Sequence, residues 1–239
     1  MEGDFLDKMN NNPELTAIDV LLTPDEIIVK KALEINKQLM EEYPNGFKLD
    51  ESHIPHISIL QNYVRTKDLE KVYKAVEKVI TSENITSLQL KAVKLICNGS
   101  IDEQGVAVIV ISPVEILLNF QSKLIDILKP FMENNGTAAA YVTSEDDPNI
   151  NDSTLEYIEN FIPDHSGSNF IPHITVGIKG MESLEKLVNE PFTPIIFSPV
   201  SIGVYQLGNN GTASRVLKEW TISRTSQRIL ENIKKSYIK

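Results

Sequence analysis

The first clear pattern along the chain is a strand followed by the start of a helix. In LTAIDVLL, residues 15–22, hydrophobic residues recur as in a half-buried strand. The next residues, Thr-Pro-Asp-Glu, are typical of a helix start, with Thr23 as the N-cap, Pro24 as the first helical residue and Glu26 completing a capping box. We therefore predict a strand and then a helix that continues to about Glu41.

The same order returns in the middle of the chain. GVAVIVI, residues 105–111, predicts a strand, and Ser-Pro-Val-Glu at 112–115 predicts a helix to about Met132. After each predicted helix and a connection comes a six-residue motif that is nearly the same in both places. The first histidine motif is Ile-Pro-His-Ile-Ser-Ile at 54–59, and the second is Ile-Pro-His-Ile-Thr-Val at 171–176.

Each histidine motif is followed by one more predicted helix and two predicted strands. After the first motif these are a helix over Thr66–Ile80 and strands in SLQLKAVKLIC and GVAVIVI. After the second they are a helix over Met181–Asn189 and strands in IIFSPVSIGVYQL and ASRVLKEWTI. Both parts of the chain thus have the order strand, helix, histidine strand, helix, strand, strand.

This repeated order has two explanations. An α+β protein can alternate its elements in this way without any duplication. The shared helix-start signals and histidine motifs favour an internal duplication, with a first half over 15–111 and a second half over 105–222. We predict one bilobal, pseudo-two-fold α+β domain over 1–239, with a C-terminal helical extension over 223–239.

Two copies of Asn-Asn-Gly-Thr-Ala, at 134–138 and 209–213, predict turns. We expect the first to end a helix and the second to close a hairpin, because Asn-Gly favours both conformations. Between them, SEDDPNINDS at 144–153 predicts an acidic surface loop. It lacks the spacing, the glycine and the terminal glutamate of a calcium-binding EF-hand loop.

Composition and charge limit the partners of the protein. The 33 acidic and 23 basic residues give a net charge of −10, which repels long polyanions, so no long duplex nucleic acid is expected as a partner. A short anionic ligand in a locally positive pocket is compatible with this charge. No apolar run has the length of a membrane span, so no membrane partner is expected.

The start of the chain and its cysteine content bear on location and cofactors. MEGDFLDKMNNNPE has neither the basic nor the apolar region of a signal peptide, so the expected location is the cytoplasm. The single Cys97 excludes an internal disulfide and a thiolate metal cluster. We expect a monomer.

Strand geometry places the histidine and the hydroxyl residue of each motif on one face. His56 shares a face with Ser58, and His173 shares a face with Thr175, because alternate residues of a strand point the same way. His53 lies on the other face of a regular strand, and no third ligand has a suitable spacing. We therefore predict no metal and no cofactor.

The two motifs together predict a catalytic site. A single His-x-Ser on an apolar strand more often marks a structural histidine, but two copies indicate that two imidazoles and two hydroxyls converge across a cleft. This set suits a phosphodiester: one imidazole takes a proton from the attacking oxygen, and the other, as imidazolium, protonates the leaving oxygen. We predict His56 and His173 as catalytic residues and Ser58 and Thr175 as donors to the phosphate oxygens.

At this point the sequence resembles the 2H phosphoesterases, which carry two His-x-(Ser/Thr) motifs. HISILQNYVRT, GTAAAYVT, SGSNFIPHITVG and VYQLGNNGTA look like the bacterial 2'-5' RNA ligase-like branch of that family. Ser58 departs from the commoner threonine but keeps the hydroxyl, and the segment after 223 lies outside the resemblance. The resemblance implies a bilobal fold with antiparallel sheets lining a central cleft and helices outside, and the same roles for the four motif residues.

Other residues are secondary candidates for substrate contact. Tyr63 and Tyr141 are candidates for stacking on a base, with the hydrophobic core as the alternative. Asn169 precedes the second motif and either lines the cleft or turns the chain. Arg65 and Arg215 are candidates for phosphate contact, with solvent-exposed positions as the alternative.

The leading functional hypothesis is a metal-independent phosphodiesterase acting on a small 2',3'-cyclic or 2'-5'-linked nucleotide or short oligonucleotide. The first alternative is RNA end ligation, the reverse chemistry in the same cleft, which needs a basic path for RNA. The second is a protein that binds a cyclic nucleotide without turnover. Two titrating imidazoles disfavour the second, since binding alone does not need them.

Overall fold

The computed structural model describes residues 14–44, 46–51, 53–83, 85–101, 104–145, 147–180, 184, 187–222 and 224–237. The helices are α1 (Glu26–Glu42), α2 (Leu69–Ser82), α3 (Glu115–Leu128), α4 (Asp152–Glu159), α5 (Phe161–His165) and α6 (Arg224–Tyr237). The strands are β1 (Leu15–Pro24), β2 (Ile57–Arg65), β3 (Leu90–Ile101), β4 (Gln104–Ile111), β5 (Met132–Glu133), β6 (His173–Gly180), β7 (Ile195–Phe197), β8 (Pro199–Leu207) and β9 (Ala213–Thr221).

The described strands form two antiparallel sheets. The first sheet has the order β5-β2-β1-β8-β9, and the second has the order β6-β4-β3-β7. In the first sheet, β2 with the first histidine motif pairs with β1. In the second, β6 with the second motif pairs with β4. In each sheet the histidine strand pairs with the strand that precedes its helix, and the two antiparallel sheets with their helices confirm the predicted α+β fold class.

Each sheet takes strands from both halves of the predicted repeat. β1 and β2 belong to the first half, but they share a sheet with β8 and β9 from the second half. In the same way, β3 from the first half lies between β4 and β7. The two lobes in space are therefore not the two halves in sequence.

The chain passes between the sheets at Ser198. β7 ends at Phe197 and pairs with β3 in the second sheet. β8 begins at Pro199 and pairs with β1 in the first sheet. Asp25 fixes this crossing, because its Oδ2 accepts from the backbone N–H of Ser198 at 2.9 Å and its N–H donates to the Ser198 carbonyl at 3.0 Å. The Oδ1 of the same carboxylate accepts from Ile27 N at 3.0 Å and caps α1. The N-cap is thus Asp25, and the prediction of Thr23 was wrong because β1 continues through Pro24.

Helix α3 ends earlier than the predicted Met132. It stops at Leu128, and Lys129–Phe131 forms a single turn of 3₁₀-helix. Pro130 explains this end, because proline has no N–H for the helix ladder and its ring clashes with the preceding turn. Met132 then pairs with Val64 as part of β5. The helix predicted over Met181–Asn189 lies largely outside the described residues.

The repeated Asn-Asn-Gly-Thr-Ala segments form turns, as predicted. In the second, Asn210 has φ 55° and Gly211 has φ 71°, and the segment closes the β8–β9 hairpin. In the first, Asn135 has φ 61°, but the segment follows β5 and not a helix. Left-handed backbone of this kind favours asparagine and glycine.

Helices cover the sheets and complete the core. α1 packs on β6 of the second sheet, while α2 and α3 pack together, with α3 against β2. The C-terminal helix α6 buries Leu230 and Ile233 against Val29 of α1 and Val200 of β8. Within the described residues, no helix combines the length and the apolar character needed to cross a bilayer.

Candidate active site

Both motif histidines are held in the same way by their own backbone. His56 Nδ1 lies 2.7 Å from the Ile54 carbonyl oxygen, and His173 Nδ1 lies 2.8 Å from the Ile171 carbonyl oxygen. A carbonyl only accepts, so in both rings Nδ1 carries the hydrogen and Nε2 is the atom left for chemistry. The intervening proline fixes its own φ and restricts the preceding isoleucine to extended backbone.

A β-bulge interrupts β2 directly after the first motif hydroxyl. Ser58 pairs with Leu21 and Leu60 pairs with Val20, so Ile59 is the extra residue. Its carbonyl accepts a hydrogen bond from the Gln121 side chain of α3 at 2.9 Å. This amide supplies a partner for a backbone group that the bulge removes from the strand ladder.

Strand β6 has a bulge at the equivalent position. Thr175 pairs with Val108 and Gly177 pairs with Ala107, so Val176 is the extra residue. Its carbonyl accepts from the Asn36 side chain of α1 at 2.9 Å. The equivalence of the two histidine strands therefore extends beyond the sequence motif to the bulge and its amide partner.

Because of the bulges, the next residue that faces the cleft after Ser58 or Thr175 lies three positions along the strand instead of two. A regular strand places the residue two positions after Ser58 on its face, but the bulge brings Gln61 there instead. In β6 the same shift brings Ile178 to the side of Thr175. The cleft, of about 350 Å³, is lined by His56, Ser58, Gln61, His173, Thr175 and Ile178 among others.

All four motif residues predicted from the sequence thus line one cleft. It lies between the two sheets, with His56 and Ser58 on the first sheet and His173 and Thr175 on the second. The His56 side chain is 16% exposed. This volume is at the small end of the range for small-molecule sites.

Asp19, which was not predicted from the sequence, is bonded to two of the residues that line the cleft. It is fully buried, and its Oδ2 accepts from Ser58 Oγ at 2.6 Å and from Gln61 Nε2 at 2.7 Å. The Nε2 atom of His56 is 3.6 Å from the same oxygen. The other oxygen, Oδ1, is buried with no hydrogen-bond partner among the described residues.

The environment of Asp19 acts on its ionisation in two directions. Burial raises the pKa of the Asp19 carboxyl above its ordinary value, while the positive charge available at His56 and the two hydrogen bonds lower it. The sequence did contain a signal for this residue. Asp19 is the only charged residue in the apolar run LTAIDVLL.

The second half has no counterpart of this carboxylate. Val106 faces Ile178 across β4 and β6, at the place where Asp19 faces Gln61 across β1 and β2. The pKa of His173 is lowered, chiefly by burial and also by the neighbouring imidazoles of His56 and His165. The two sides of the cleft are therefore alike in backbone and different in charge.

Tyr157 of α4 also lines the cleft and was not predicted. Its ring centroid lies 4.6 Å from that of His165. Burial, with a smaller effect of the Asp19 charge, raises the pKa of Tyr157 to about 12. Its hydroxyl therefore stays protonated at neutral pH and is available as a donor.

Other cleft residues come from connecting segments. His53 stacks on Phe47 with ring centroids 5.3 Å apart, and both line the cleft. The turn 210–212, interpreted from the sequence only as a hairpin turn, lines it as well, together with Ser153 and Thr154. Sequence patterns gave no signal for these contacts, because they depend on long-range packing.

Tyr63 and Tyr141 lie in the core and not in the cleft. Their hydroxyls are 2.6 Å apart, and the side chains are 1% and 6% exposed. They belong to a small hydrophobic cluster with Ala17, Ile158 and Leu207. Of the two alternatives predicted for these tyrosines, stacking on a base or the hydrophobic core, the structure shows the core.

Asn169, Arg65 and Arg215 also lie outside the cleft lining. Asn169 is exposed in a turn, where its side chain donates to the Pro163 carbonyl at 3.2 Å. Arg65 forms ion pairs with Asp68 at 2.6 Å and Glu133 at 2.5 Å, and the second pair links β2 to β5. Arg215 is exposed on β9. Asn169 thus turns the chain and Arg215 is solvent-exposed, which are the alternatives predicted for them, while Arg65 forms ion pairs outside the cleft.

Charge and ligand geometry further define the cleft. Among the cleft-lining residues that the structure describes, none is lysine or arginine. In the same part of the chain, no three His, Cys, Asp or Glu side chains are grouped so that they could hold a metal ion. The groups that can carry positive charge against a substrate in this lining are imidazoles.

The fold is similar to that of several solved structures. The crystal structure of TT0787 of Thermus thermophilus matches at 12% identity over 87% of this chain and 98% of that chain, with a TM-score of 0.50. E. coli LigT complexed with 3'-AMP matches at 10% identity, over 88% and 100% of the two chains, with a TM-score of 0.41. Kluyveromyces marxianus Usb1 matches at 9% identity, over 86% and 97%, with a TM-score of 0.42.

In sequence comparisons, no protein-family model and no curated protein matches the chain. The likeness to TT0787 is one of fold over nearly the whole of both chains.

Proposed function

We propose that the protein is a metal-independent phosphodiesterase that acts on a small 2',3'-cyclic or 2'-5'-linked nucleotide. The observation that carries the proposal is the placement of His56 and His173. Both line one cleft from opposite sheets, and in each ring Nδ1 is bound to a backbone carbonyl so that Nε2 is the reactive atom.

Two imidazoles fixed in this way suit in-line attack at a phosphodiester. One Nε2 takes the proton from the attacking water, and the other delivers a proton to the leaving oxygen. Thr175 lies beside His173 on the cleft face, where its hydroxyl is a donor for a non-bridging oxygen. Tyr157 is a second neutral donor on the opposite wall.

The lining also supports a small substrate of low charge. Without lysine or arginine in the described lining, the cleft offers imidazolium charge to one phosphate and little to a chain of phosphates. Val106, Val108 and Ile178 form an apolar wall, and the stacked Phe47 and His53 rings suit a nucleobase. Hydrolysis of a cyclic or short diester fits these features better than ligation of RNA ends, which needs a basic path for two RNA strands.

The test is turnover by the purified full chain in EDTA. The substrates are 2',3'-cyclic mononucleotides, 2'-5' oligoadenylates and cyclic dinucleotides. We expect hydrolysis of at least one of the first two classes. His56→Ala and His173→Ala each remove most of the rate, and the double variant is little worse, because the two residues work as a unit. Thr175→Ala lowers the rate by roughly 10²–10³, as expected for the loss of one donor to the developing charge.

Three results would overturn the proposal. The first is activity that EDTA abolishes and a divalent ion restores. The second is near wild-type turnover of the cyclic or 2'-5'-linked substrate by either histidine variant. The third is tight binding of a cyclic nucleotide with no turnover, which would identify a binding protein instead.

A further inference from the structure

The two halves of the cleft differ most at one pair of equivalent positions. In the first half, Asp19 faces Gln61 across β1 and β2. In the second half, Val106 faces Ile178 across β4 and β6. The two histidine strands have equivalent bulges, and each histidine binds a backbone carbonyl through Nδ1. The charge of Asp19 is therefore what distinguishes the surroundings of the two histidines.

Asp19 is placed to act on His56 alone of the two motif histidines. Its Oδ2 is 3.6 Å from His56 Nε2, within ion-pair distance of an imidazolium. Ser58 and Gln61 hold the carboxylate in this position through hydrogen bonds of 2.6 and 2.7 Å. The carboxylate is fully buried, so solvent screens this contact little.

We infer that Asp19 is a positioning residue whose carboxylate pairs with His56 through Nε2 and so makes His56 the general acid and His173 the general base. The inference rests on the proposed phosphodiesterase function. Burial of His173 beside Val106 and Ile178 favours its neutral form, which is the form a base requires.

The other titratable groups near the site do not provide a competing carboxylate. The charged or titratable side chains around it include His173 on β6, Tyr157 on α4, His165 on α5, Tyr205 on β8 opposite Asp19, and His53 before β2. Asp50 lies 3.7 Å from His53 Nδ1. Glu219 of β9 is held by the hydroxyls of Ser201 and Tyr205 and by Lys234. Asp19 is therefore the carboxylate that can pair with His56.

The assignment gives a balanced reaction. His173 Nε2 takes one proton from water, and the water oxygen forms the new bond to phosphorus. The bond from phosphorus to the leaving oxygen breaks, its electron pair stays on that oxygen, and His56 Nε2–H supplies the proton. After release of the product, His173 returns its proton to solvent and His56 regains one, so the net change is hydrolysis by one water.

The first test changes the leaving group. A nitrophenolate leaves without a proton, so a p-nitrophenyl phosphodiester of the same nucleoside does not need the acid. We expect His56→Ala to lose roughly 10²–10⁴-fold in rate on the cyclic substrate but far less on the nitrophenyl ester. His173→Ala should lose similar factors on both. The opposite pattern would reverse the assignment and overturn the inference.

The second test uses Asp19→Asn and the substrate that the wild type hydrolyses. Loss of the carboxylate removes the partner of the imidazolium, so the alkaline limb of the kcat/KM profile should move to lower pH. The acidic limb should stay in place. Asp126→Asn, which removes one exposed charge from α3 outside the cleft, is the control and should move neither limb.

The outcomes separate the inference from the proposed function. Turnover by the wild type, with an unmoved alkaline limb in a folded Asp19→Asn variant, overturns the inference and leaves the phosphodiesterase intact. If Asp19→Asn does not fold, the two histidine variants on the two substrates still decide the assignment. Should the wild type turn over no diester at all, the proposed function fails and the inference fails with it.

Discussion

Asn36 and Gln121 hold equivalent bulges from opposite halves of the chain. Asn36, on α1 of the first half, donates to the Val176 carbonyl in the second histidine strand at 2.9 Å. Gln121, on α3 of the second half, donates to the Ile59 carbonyl in the first histidine strand at 2.9 Å. Each half thus supplies the amide that binds the bulge in the histidine strand of the other.

These amides should affect stability and activity together. Asn36 and Gln121 are 3% and 1% exposed, so Asn36→Ala or Gln121→Ala leaves buried polar groups without a partner. We expect each to lower the free energy of unfolding by about 1–3 kcal/mol and to lower kcat, because the bulge positions Ser58 or Thr175. Urea denaturation and steady-state kinetics are the measurements. Asn160→Ala, which removes an exposed side-chain bond on the protein surface, is the control. Equal activity of all three variants would contradict the role of the amides.

Because of Asp19, the free energy of unfolding should fall as pH rises. Its pKa in the folded state is raised, so between the ordinary value of 3.8 and the raised pKa the folded state holds a proton that the unfolded state has lost. Above the raised pKa, Asp19 is the carboxylate that faces His56. Stability therefore falls as pH increases from about 3.8 through the raised pKa. Asp19→Asn should lack this fall. Melting temperatures of both proteins across that range test it, and parallel curves would show that Asp19 does not titrate as described.

Local sequence patterns predicted most of the elements but not how they assemble. Periodicity and helix-start signals located β1, α1 and the histidine strands, because these signals depend on neighbours in sequence. The N-cap at Asp25 was missed, since its second partner is Ser198, far along the chain. For the same reason, the pattern IIFSPVSIGVYQL did not indicate that its two strands belong to different sheets.

Local sequence patterns likewise predicted only part of the candidate site. A six-residue repeat was enough to predict His56 and His173 in one cleft, because a shared motif implies a shared environment. Gln61 was not predicted, since its position depends on a bulge set by the register with β1. Asp19 was visible as one charge in an apolar run, but its partners are 39 and 42 residues away in sequence.

The tyrosine pair should behave as core. Tyr63→Phe or Tyr141→Phe leaves the other hydroxyl without its 2.6 Å partner, and we expect a loss of about 1–3 kcal/mol in the free energy of unfolding for each. The double variant should lose less than the sum, because both hydroxyls are then absent. Turnover by folded protein should stay at the wild-type level in all three. A rise in KM for Tyr63→Phe without loss of stability would return this residue to the list of substrate contacts.

The last prediction concerns the acidic limb of the pH–rate profile. The base must be neutral to accept a proton, and burial lowers the pKa of His173 below its ordinary 6.5. The acidic limb of kcat/KM, which reports the free enzyme, should therefore lie below pH 6.5. The imidazole of His165 contributes to this lowering, so His165→Gln should move the limb toward higher pH. Asp126→Asn again serves as the control. A limb above pH 6.5, or one that His165→Gln moves to lower pH, would show that His173 is not the group that limits activity in acid.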